Sequence, residues 1–204
     1  DEIQNIRPET AIHNFFRDHA NHFPQLEAAA EVTRVAVGGP VEDLFANLKR
    51  HLKNAFGIGV NVVEAGEMDN SLRVFDQEHS KVTLSEALDP INRNFQLAHV
   101  LALVSCSNLL DTLVGDAAIS SETGRARCRV ELANYFAAAF LMPYDAIFDL
   151  AEQTKYDIDR YATHFAVSFE QVSHPLTTLP LKGAQGVPFF DNSGQTSVFR
   201  RLGL

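Results

Sequence analysis

The residue of this chain best placed to do chemistry is His99, which stands alone inside an apolar run. The run Asn92–Val104 reads NRNFQLAHVLALV. Its apolar residues recur at helical spacing and leave almost no polar face, and a helix that is apolar on all sides is buried. A buried histidine has two interpretations: a core side chain bonded to a carbonyl group, or a ligand-binding side chain at a functional site.

A second stretch, Arg129–Tyr144, must pack against this helix and brings Asn134 and Tyr135 with it. It reads RVELANYFAAAFLMPY. With the pattern ANYFAAxxLMPY following FxxAHxLAL, the chain resembles the ImmA/IrrE family of zinc-peptidase-like domains. It is most similar to the branch carried by short-chain fatty acyl transcriptional regulators of the PrpR and RamB type. The resemblance implies an α+β fold, rich in helix, with a small β-sheet.

The zinc motif of the resembling peptidases is incomplete in this chain. There it reads AHELGH, in which two histidines at positions i and i+4 bind zinc and the glutamate beside the first activates water. Here His99 keeps the first position, while Val100 replaces the glutamate and Leu103 replaces the second histidine. Valine cannot accept a proton and leucine cannot bind a metal, so we expect no catalytic residue, no peptidase activity and no bound metal.

One alternative to the loss of metal binding and catalysis stays open. Glu131 lies near the position of the family's third zinc ligand. A residual metallohydrolase could therefore be built from His99, Glu131 and a ligand that the sequence does not identify.

Composition and charge indicate an ordinary cytoplasmic domain. The chain has 204 residues, of which 46% are hydrophobic and 21% charged, and no apolar run reaches the roughly 20 residues that span a bilayer. Its two cysteines, Cys106 and Cys128, lie in apolar helical patterns that favour reduced thiols over a disulfide scaffold. The formal charge of −9 disfavours a nucleic-acid surface here but permits a small anionic ligand held by a few cations.

The first segment of the chain predicts a helical arm. Pro8–Thr33 spaces its apolar residues for helix, and Pro24 marks a kink or a restart. Its histidines favour structural or surface roles over a metal site. We divide the chain into this arm, residues 1–34, and a ligand-sensing domain, residues 35–204, which ends in a helical pair and a β-tail.

One more helix and three short strands are predicted before the central helix. After a loop over Val35–Pro40, the helix begins at Pro40 and ends at Gly57. Its C-terminal basic side chains match the helix dipole, with a phosphate grip as the alternative. The predicted strands are Gly59–Glu64, Leu72–Phe75 and Lys81–Leu84. A polar and mobile stretch is expected between the first two strands, over Ala65–Asn70.

Capping residues mark the ends of the two main helices. Asp89 precedes the central helix in a capping position, and Ser120 or Ser121 does so for the helix that follows. Between these helices we predict a helix end and a loop over Ser105–Thr123. The long second helix ends at Met142.

The C-terminal third predicts three more helices and two strands. The helices are Tyr144–Gln153, Asp157–Phe165 and Ser168–Leu179, and the strands flank the NSG sequence of the tail Gly186–Leu204. The last two helices also resemble a helix-turn-helix. Because the second of them offers no lysine or arginine before Lys182, we favour packing over DNA binding.

A peptidase fold without its zinc ligands keeps a cleft between its two main helices. That cleft is predicted to be an apolar groove with a few polar groups on its walls, the usual profile of a small-ligand pocket. The resemblance implies the ligand: coenzyme A or its acetyl or propionyl thioester. The candidate ligand-binding residues are Arg17, Asn21, Arg93, Phe95, His99, Asn134 and Tyr135.

The phosphates of such a ligand need cations at the mouth of the groove. Arg93 and Arg17 are the first candidates, and Lys49, Arg50 and Arg129 follow. The resemblance makes the arm a connection between a DNA-binding head and the sensor, which brings Arg17 and Asn21 within possible reach of a ligand or a partner subunit.

We therefore expect the ligand-sensing domain of a bacterial transcriptional regulator of acetate and propionate metabolism, and not an enzyme. The resemblance implies a homodimer in the cytoplasm, no membrane contact, and DNA binding only through a separate N-terminal head that is absent from this chain. A different class of function also remains open, a structural dimerisation module whose groove is filled by side chains.

Overall fold

The structure is a computed structural model that describes residues 7–69 and 71–142, together with the backbone of two short strands near the C-terminus. The predicted fold class is confirmed: helices dominate, and a small three-stranded sheet lies between the third and fourth of them.

The arm forms two helices, α1 (Pro8–Asp18) and α2 (Pro24–Val37). Pro24 occupies the first turn of α2, where a proline costs no hydrogen bond, so the predicted restart is confirmed. Helix α2 runs on to Val37, which shortens the loop predicted from Val35. Both helices bury apolar residues in the same core as the other described helices and strands, while the division at residue 34 remains a prediction.

The third helix starts later than the sequence pattern indicates. Val41–Asp43 form a tight 3-10 turn, and α3 runs over Leu44–Phe56. The Pro40 carbonyl accepts from the Asp43 amide at 3.2 Å within this turn and from the Asn47 side chain at 3.1 Å. Gly57 ends α3 as predicted, in the left-handed conformation with φ of 71°.

The sheet consists of β1 (Gly59–Val63), β2 (Arg73–Asp76) and β3 (Lys81–Ser85). The strand order is β1-β3-β2, with β3 parallel to β1 and antiparallel to β2. The stretch predicted to be polar and mobile contains a 3-10 turn, Ala65–Glu67, and the buried Met68. The buried side chain of Met68 therefore fixes part of the connection between β1 and β2 to the core.

Three helices complete the described body: α4 (Pro90–Ser105), α5 (Ser107–Asp116) and α6 (Glu122–Leu141). Both predicted caps are confirmed, since Asp89 accepts from the Asn92 amide at 2.9 Å and Ser121 accepts from the Gly124 amide at 3.0 Å.

The loop predicted over Ser105–Thr123 is wrong, because it contains helix α5. Leu110, Leu113 and Val114 recur at helical spacing and are buried in the core. The polar residues near Ser105 hide this pattern in the sequence, although they mark only a sharp bend of 82° between α4 and α5.

Helices α4 and α6 pack against each other at the centre of the fold, and the prediction that α4 is among the most buried elements is confirmed. Leu97, Leu101, Leu132 and Phe136 are fully buried between or beside them. In the described part of the chain no single helix is long and apolar enough to cross a membrane. The bent α4–α5 pair resembles a membrane-spanning segment by length and composition only.

Several C-terminal predictions fall outside the described residues. These are the helix Tyr144–Gln153 and the pair Asp157–Phe165 and Ser168–Leu179 with its helix-turn-helix alternative. In the tail, β4 (Phe189–Phe190) and β5 (Thr196–Ser197) pair antiparallel, as the sequence predicts; the turn between them is also outside the described residues.

Candidate functional site

The centre of the site is a hydrogen bond between the two central helices. His99 of α4 is 3% exposed, and its Nδ1 lies 2.8 Å from Oδ1 of Asn134 on α6. With the amide oxygen facing the ring, Nδ1 carries the proton and donates it, so Nε2 keeps a free lone pair. Nε2 is buried and has no hydrogen-bond partner among the described residues.

The His99 ring is neutral at ordinary pH. Its pKa is lowered to about 4, mainly by burial and also by the charge of Arg73, while the bond to Asn134 acts in the opposite direction. The neutral state makes the ring an acceptor at Nε2 rather than a cation.

Arg73 is a site residue that the sequence analysis missed. It stands on β2 opposite the fully buried Leu84, and Phe75 stands opposite the fully buried Val82. Because cross-strand partners project from the same face of a sheet, Arg73 lies on the core face. Burial lowers the pKa of its guanidinium, and its Nη1 has no partner in the described part of the chain.

A signal for Arg73 exists in the sequence. The order Leu72, Arg73, Val74, Phe75 alternates along a strand, so Arg73 and Phe75 must share one face. Only the folded sheet shows which face is covered: Leu72 and Val74 are 51% and 46% exposed, which assigns Arg73 to the inside.

Arg93 and Phe95, both predicted ligand residues, lie near the start of α4. Arg93 Nη2 donates to the Glu86 carbonyl at 2.9 Å, while its Nε is buried without a partner among the described residues. Phe95 is half-buried against the core. The adjacent Asn94 was not predicted; it is buried, and its Oδ1 also lacks a described partner.

Tyr135, predicted for the groove wall, joins α6 to the arm. Its hydroxyl donates to Glu27 Oε1 at 2.7 Å and accepts from the Phe23 amide at 3.3 Å. Its ring meets the Phe23 ring edge to face, with centroids 5.2 Å apart. These contacts fix the start of α2 against the central helix pair.

Arg17 and Asn21 lie on the arm. Arg17 is exposed and pairs with Asp18 at 3.4 Å. Asn21, in the positive-φ turn after α1, helps to line a pocket of about 300 Å³ between α1 and α6. The other lining residues are Glu9, Ile12, His13, Phe16, Arg127 and Glu131. The predicted residues thus do not form one site: His99 and Asn134 pair between α4 and α6, whereas Asn21 lines this pocket and Arg17 does not.

The second group of candidate cations is dispersed over α3 and α6. Lys49 stands over the Phe45 ring at 5.4 Å, and Arg50 is exposed. Arg129 donates to Asp111 at 2.7 Å and to Ser107 Oγ at 3.0 Å. Its guanidinium therefore links α6 to α5.

The donor set at the former zinc motif does not fit zinc. Val100 is fully buried, and Leu103 packs against the core. Glu131, the possible third ligand, is exposed and lines the pocket beside the arm. In the residues that the structure describes, no group of three histidine, cysteine, aspartate or glutamate side chains could hold a metal ion.

Comparison with protein families identifies one match. The family described as the IrrE N-terminal-like domain matches residues 53–177, a stretch that includes α4 and α6 with the His99–Asn134 pair.

Curated relatives match over most of this chain. Two proteins of Mycobacterium tuberculosis, the HTH-type transcriptional regulators RamB and PrpR, are 32% identical over 183 residues and 35% identical over 194 residues. A propionyl-CoA carboxylase regulator of Cereibacter sphaeroides is 32% identical over 183 residues. These matches cover 89%, 93% and 90% of this chain but only 38%, 40% and 38% of the relatives, so the chain spans less than half of their length.

A solved structure gives the same result for the fold. A Mycobacterium tuberculosis transcriptional regulator superimposes with a TM-score of 0.83 at 34% sequence identity, over 96% of this chain and 60% of that one.

Proposed function

Because the chain belongs to the IrrE N-terminal-like domain family, we propose that it uses the cleft of that fold to sense a ligand and not to cut peptides. It would act within a bacterial transcriptional regulator of acetate or propionate metabolism, with coenzyme A or its acetyl or propionyl thioester as the ligand. The names of the relatives support the regulatory part, since two are HTH-type regulators and a third is a propionyl-CoA carboxylase regulator. Val100 and Leu103 support the absence of an enzyme.

A set of unpartnered atoms carries the proposal of a ligand site. Buried polar atoms in proteins are almost always hydrogen-bonded, and leaving one unbonded costs about 1–3 kcal/mol. Four buried side-chain atoms, all from β2 or α4, lack a partner among the described residues: Arg73 Nη1, Arg93 Nε, Asn94 Oδ1 and His99 Nε2. A ligand that supplies partners to some of them would recover this lost free energy.

The chemistry of an acyl-coenzyme A matches the residues on both sides of this site. The acyl–pantetheine arm is apolar with a few amide groups, which suits the half-buried Phe95 and the polar atoms of α4. The phosphates require cations near solvent. Arg93, in the first turn of α4, and the exposed Arg17 of the arm are the cations that we propose for them.

The same proposal includes the partners of the whole regulator. The relatives are HTH-type proteins, and we propose that DNA is bound by a separate domain of such a regulator, in the cytoplasm. A homodimer is favoured by α2, where Val32 and Val35 are 69% and 74% exposed. Apolar side chains of this kind are typical of surfaces that a second subunit covers.

A thermal-shift screen tests the proposal. Coenzyme A, acetyl-coenzyme A and propionyl-coenzyme A are expected to raise the Tm, because a ligand that binds only the folded state stabilises it. At a free concentration about 100 times the Kd the gain is about 2.7 kcal/mol, and each kcal/mol raises the Tm of a chain of this size by roughly 2–4 °C. Arg93→Gln is expected to reduce the shift and its dependence on salt.

Arg125→Gln is the matched control, because Arg125 is exposed on α6 and has no ion pair among those described. An unchanged Tm with all three ligands would contradict the sensor and favour the dimerisation module. A Tm that rises with zinc instead, and no longer does so after His99→Ala, would favour the residual metallohydrolase.

A further inference from the structure

The face of α6 that packs against the arm carries three polar residues, each one turn from the next. Arg127, Glu131 and Tyr135 stand at positions i, i+4 and i+8, a spacing that places them in one row along the helix. Arg127 pairs with Glu9 of α1, and Tyr135 bonds to the start of α2. Glu131, between them, has no hydrogen bond or ion pair with another described residue.

Glu131 lines the pocket of about 300 Å³ between α1 and α6. The residues of α1 that face it stand at positions i, i+3, i+4 and i+7, which share one side of a helix: Glu9, Ile12, His13 and Phe16. Ile12 is buried and Phe16 is half-buried in the core, so part of the wall is apolar. Asn21 adds a side-chain amide that makes no hydrogen bond to another described residue.

The charges around this pocket do not cancel. Its charged lining residues are Glu9, Glu131 and Arg127, two carboxylates and one guanidinium, which leave a net charge of −1 with histidine counted as neutral. Glu9 and Arg127 neutralise each other in their ion pair, so the unbalanced charge is that of Glu131. An anionic ligand would have to displace Glu9 from Arg127, whereas a cation finds a free carboxylate.

We propose that this pocket binds a small primary ammonium ion that carries a short alkyl chain. Its N–H groups donate to the carboxylate of Glu131 and to the amide oxygen of Asn21, and such bonds are strengthened by the charge of the donor. The alkyl chain packs against Ile12 and Phe16. The volume of the pocket is at the lower end of the range for small-molecule sites, which favours a ligand of this size.

Other classes of ligand match these walls less well. A carboxylate or a phosphate is repelled by Glu131 and competes with Glu9 for Arg127. A neutral alcohol packs against the apolar wall but leaves Glu131 without a counter-ion. A metal ion lacks ligands, because no three histidine, cysteine, aspartate or glutamate side chains of the described residues are placed to hold one.

This inference goes beyond the proposed function and does not depend on it. Coenzyme A is anionic and its proposed contacts lie on α4 and at Arg17, whereas the ammonium ion is held between α1 and α6. Binding of an alkylammonium ion without any response to coenzyme A would contradict only the proposed function, and the opposite result would contradict only this inference.

Methyl NMR spectroscopy of the 204-residue chain tests the site. The isoleucine δ1-methyl groups are labelled with ¹³C, and two signals are assigned with Ile12→Val and Ile58→Val. n-Butylammonium chloride is titrated at constant ionic strength, and sodium butyrate and n-butanol are titrated in parallel. Butylammonium is expected to move the Ile12 signal to saturation and to leave the signal of Ile58, which is buried beside β1, in place. Butyrate should move neither signal, and butanol should bind more weakly than butylammonium.

Two substitutions in the pocket and one matched control complete the experiment. Glu131→Gln keeps the shape of the side chain and removes its charge, so butylammonium should bind about 5-fold more weakly, the upper end for an exposed ion pair, while butanol binding stays unchanged. Asn21→Asp adds a carboxylate at a residue whose positive φ aspartate tolerates, and it should tighten butylammonium binding. Glu78→Gln removes an exposed carboxylate between β2 and β3 and should change neither affinity.

Any of three results would overturn the inference. The Ile12 signal could stay in place throughout the butylammonium titration, or butylammonium and butanol could bind with equal affinity. Glu131→Gln protein with an otherwise unchanged methyl spectrum could also bind butylammonium as tightly as the unchanged chain.

Discussion

At the scale of the residue, His99 shows what remains when a zinc motif loses two of its three functional positions. The imidazole is held between two helices through its Nδ1 and Asn134. Its environment keeps it neutral, with a pKa of about 4. A neutral, oriented imidazole with a free lone pair can still accept a hydrogen bond from a ligand, although Val100 cannot activate water beside it.

The low pKa of His99 predicts a loss of stability in acid. In the unfolded chain the imidazole takes up a proton near its ordinary pKa of about 6.5, whereas in the folded chain it does so only near 4. Between these values the unfolded state binds more protons, so the free energy of unfolding falls as the pH falls through this window. The full contribution is about 3 kcal/mol. Denaturant titrations at several pH values measure it.

The control for this prediction compares two histidine substitutions. His99→Gln should remove most of this pH dependence between about 6.5 and 4, while His13→Gln, on the exposed face of α1, should retain it. Equal pH profiles for the unchanged chain and His99→Gln would show that another group is responsible.

At the scale of the element, the sheet and helix α6 position the site. Strand β2 turns Arg73 towards the core face of the sheet, where Leu84 of β3 is its cross-strand neighbour. Asn134 and Tyr135 are consecutive residues of helix α6. Asn134 contacts His99 of α4, whereas Tyr135 contacts Glu27 of the arm. An inward arginine on a sheet is unfavourable for folding unless a ligand uses it, and this conflict is typical of functional sites.

Replacing that arginine should stabilise the fold. Arg73→Met keeps a long side chain on the core face of β2 and removes a partly buried charge without a described counter-ion. We expect the free energy of unfolding to rise by about 1–2 kcal/mol. Urea denaturation measures the change, with Arg125→Met as the control for removing an exposed arginine. A destabilised Arg73→Met chain would indicate that Arg73 has a structural role.

At the scale of the whole molecule, the arm and the body share one hydrophobic core. Ile12 and Phe15 of α1, and Leu26 of α2, are buried in the same cluster as the residues of α4 and α6. The hydroxyl of Tyr135 fastens the start of α2 to the body. A ligand in the groove or in the pocket beside α1 could therefore act on the arm through direct packing.

The shared core predicts that a substitution in the arm destabilises the whole chain. Phe23 is fully buried and contacts the rings of Phe15, Phe16 and Tyr135. Phe23→Ala should lower the free energy of unfolding by about 3–5 kcal/mol. Differential scanning calorimetry should show one cooperative transition at a lower temperature.

The matched substitution is Gln25→Ala on α2, the helix that Phe23 precedes, since Gln25 is exposed. Its effect should stay within about 0.5 kcal/mol. Two separate transitions, of which only the smaller one responds to Phe23→Ala, would show instead that the arm folds independently.

The sequence by itself determined the features that depend on neighbouring residues. Apolar periodicity predicts the buried helix around His99. Asp89, and either Ser120 or Ser121, predict the helix starts through local caps, and Gly57 predicts the end of α3. The missing zinc ligands are equally local, because positions i, i+1 and i+4 of one helix are adjacent in the chain. The prediction of a loop in place of α5 was wrong because the polar residues at the bend between α4 and α5 have the composition of a longer loop.

Only the tertiary structure decided which distant residues meet. Asn134 is 35 positions from His99, and Glu27 is 108 positions from Tyr135, so no local pattern could pair them. The same holds for Arg73: alternation places it with Phe75, but the covered face of the strand is settled by packing against the rest of the core. Burial, which sets the pKa of His99 and leaves the guanidinium of Arg73 without a described counter-ion, is a property of the assembled fold.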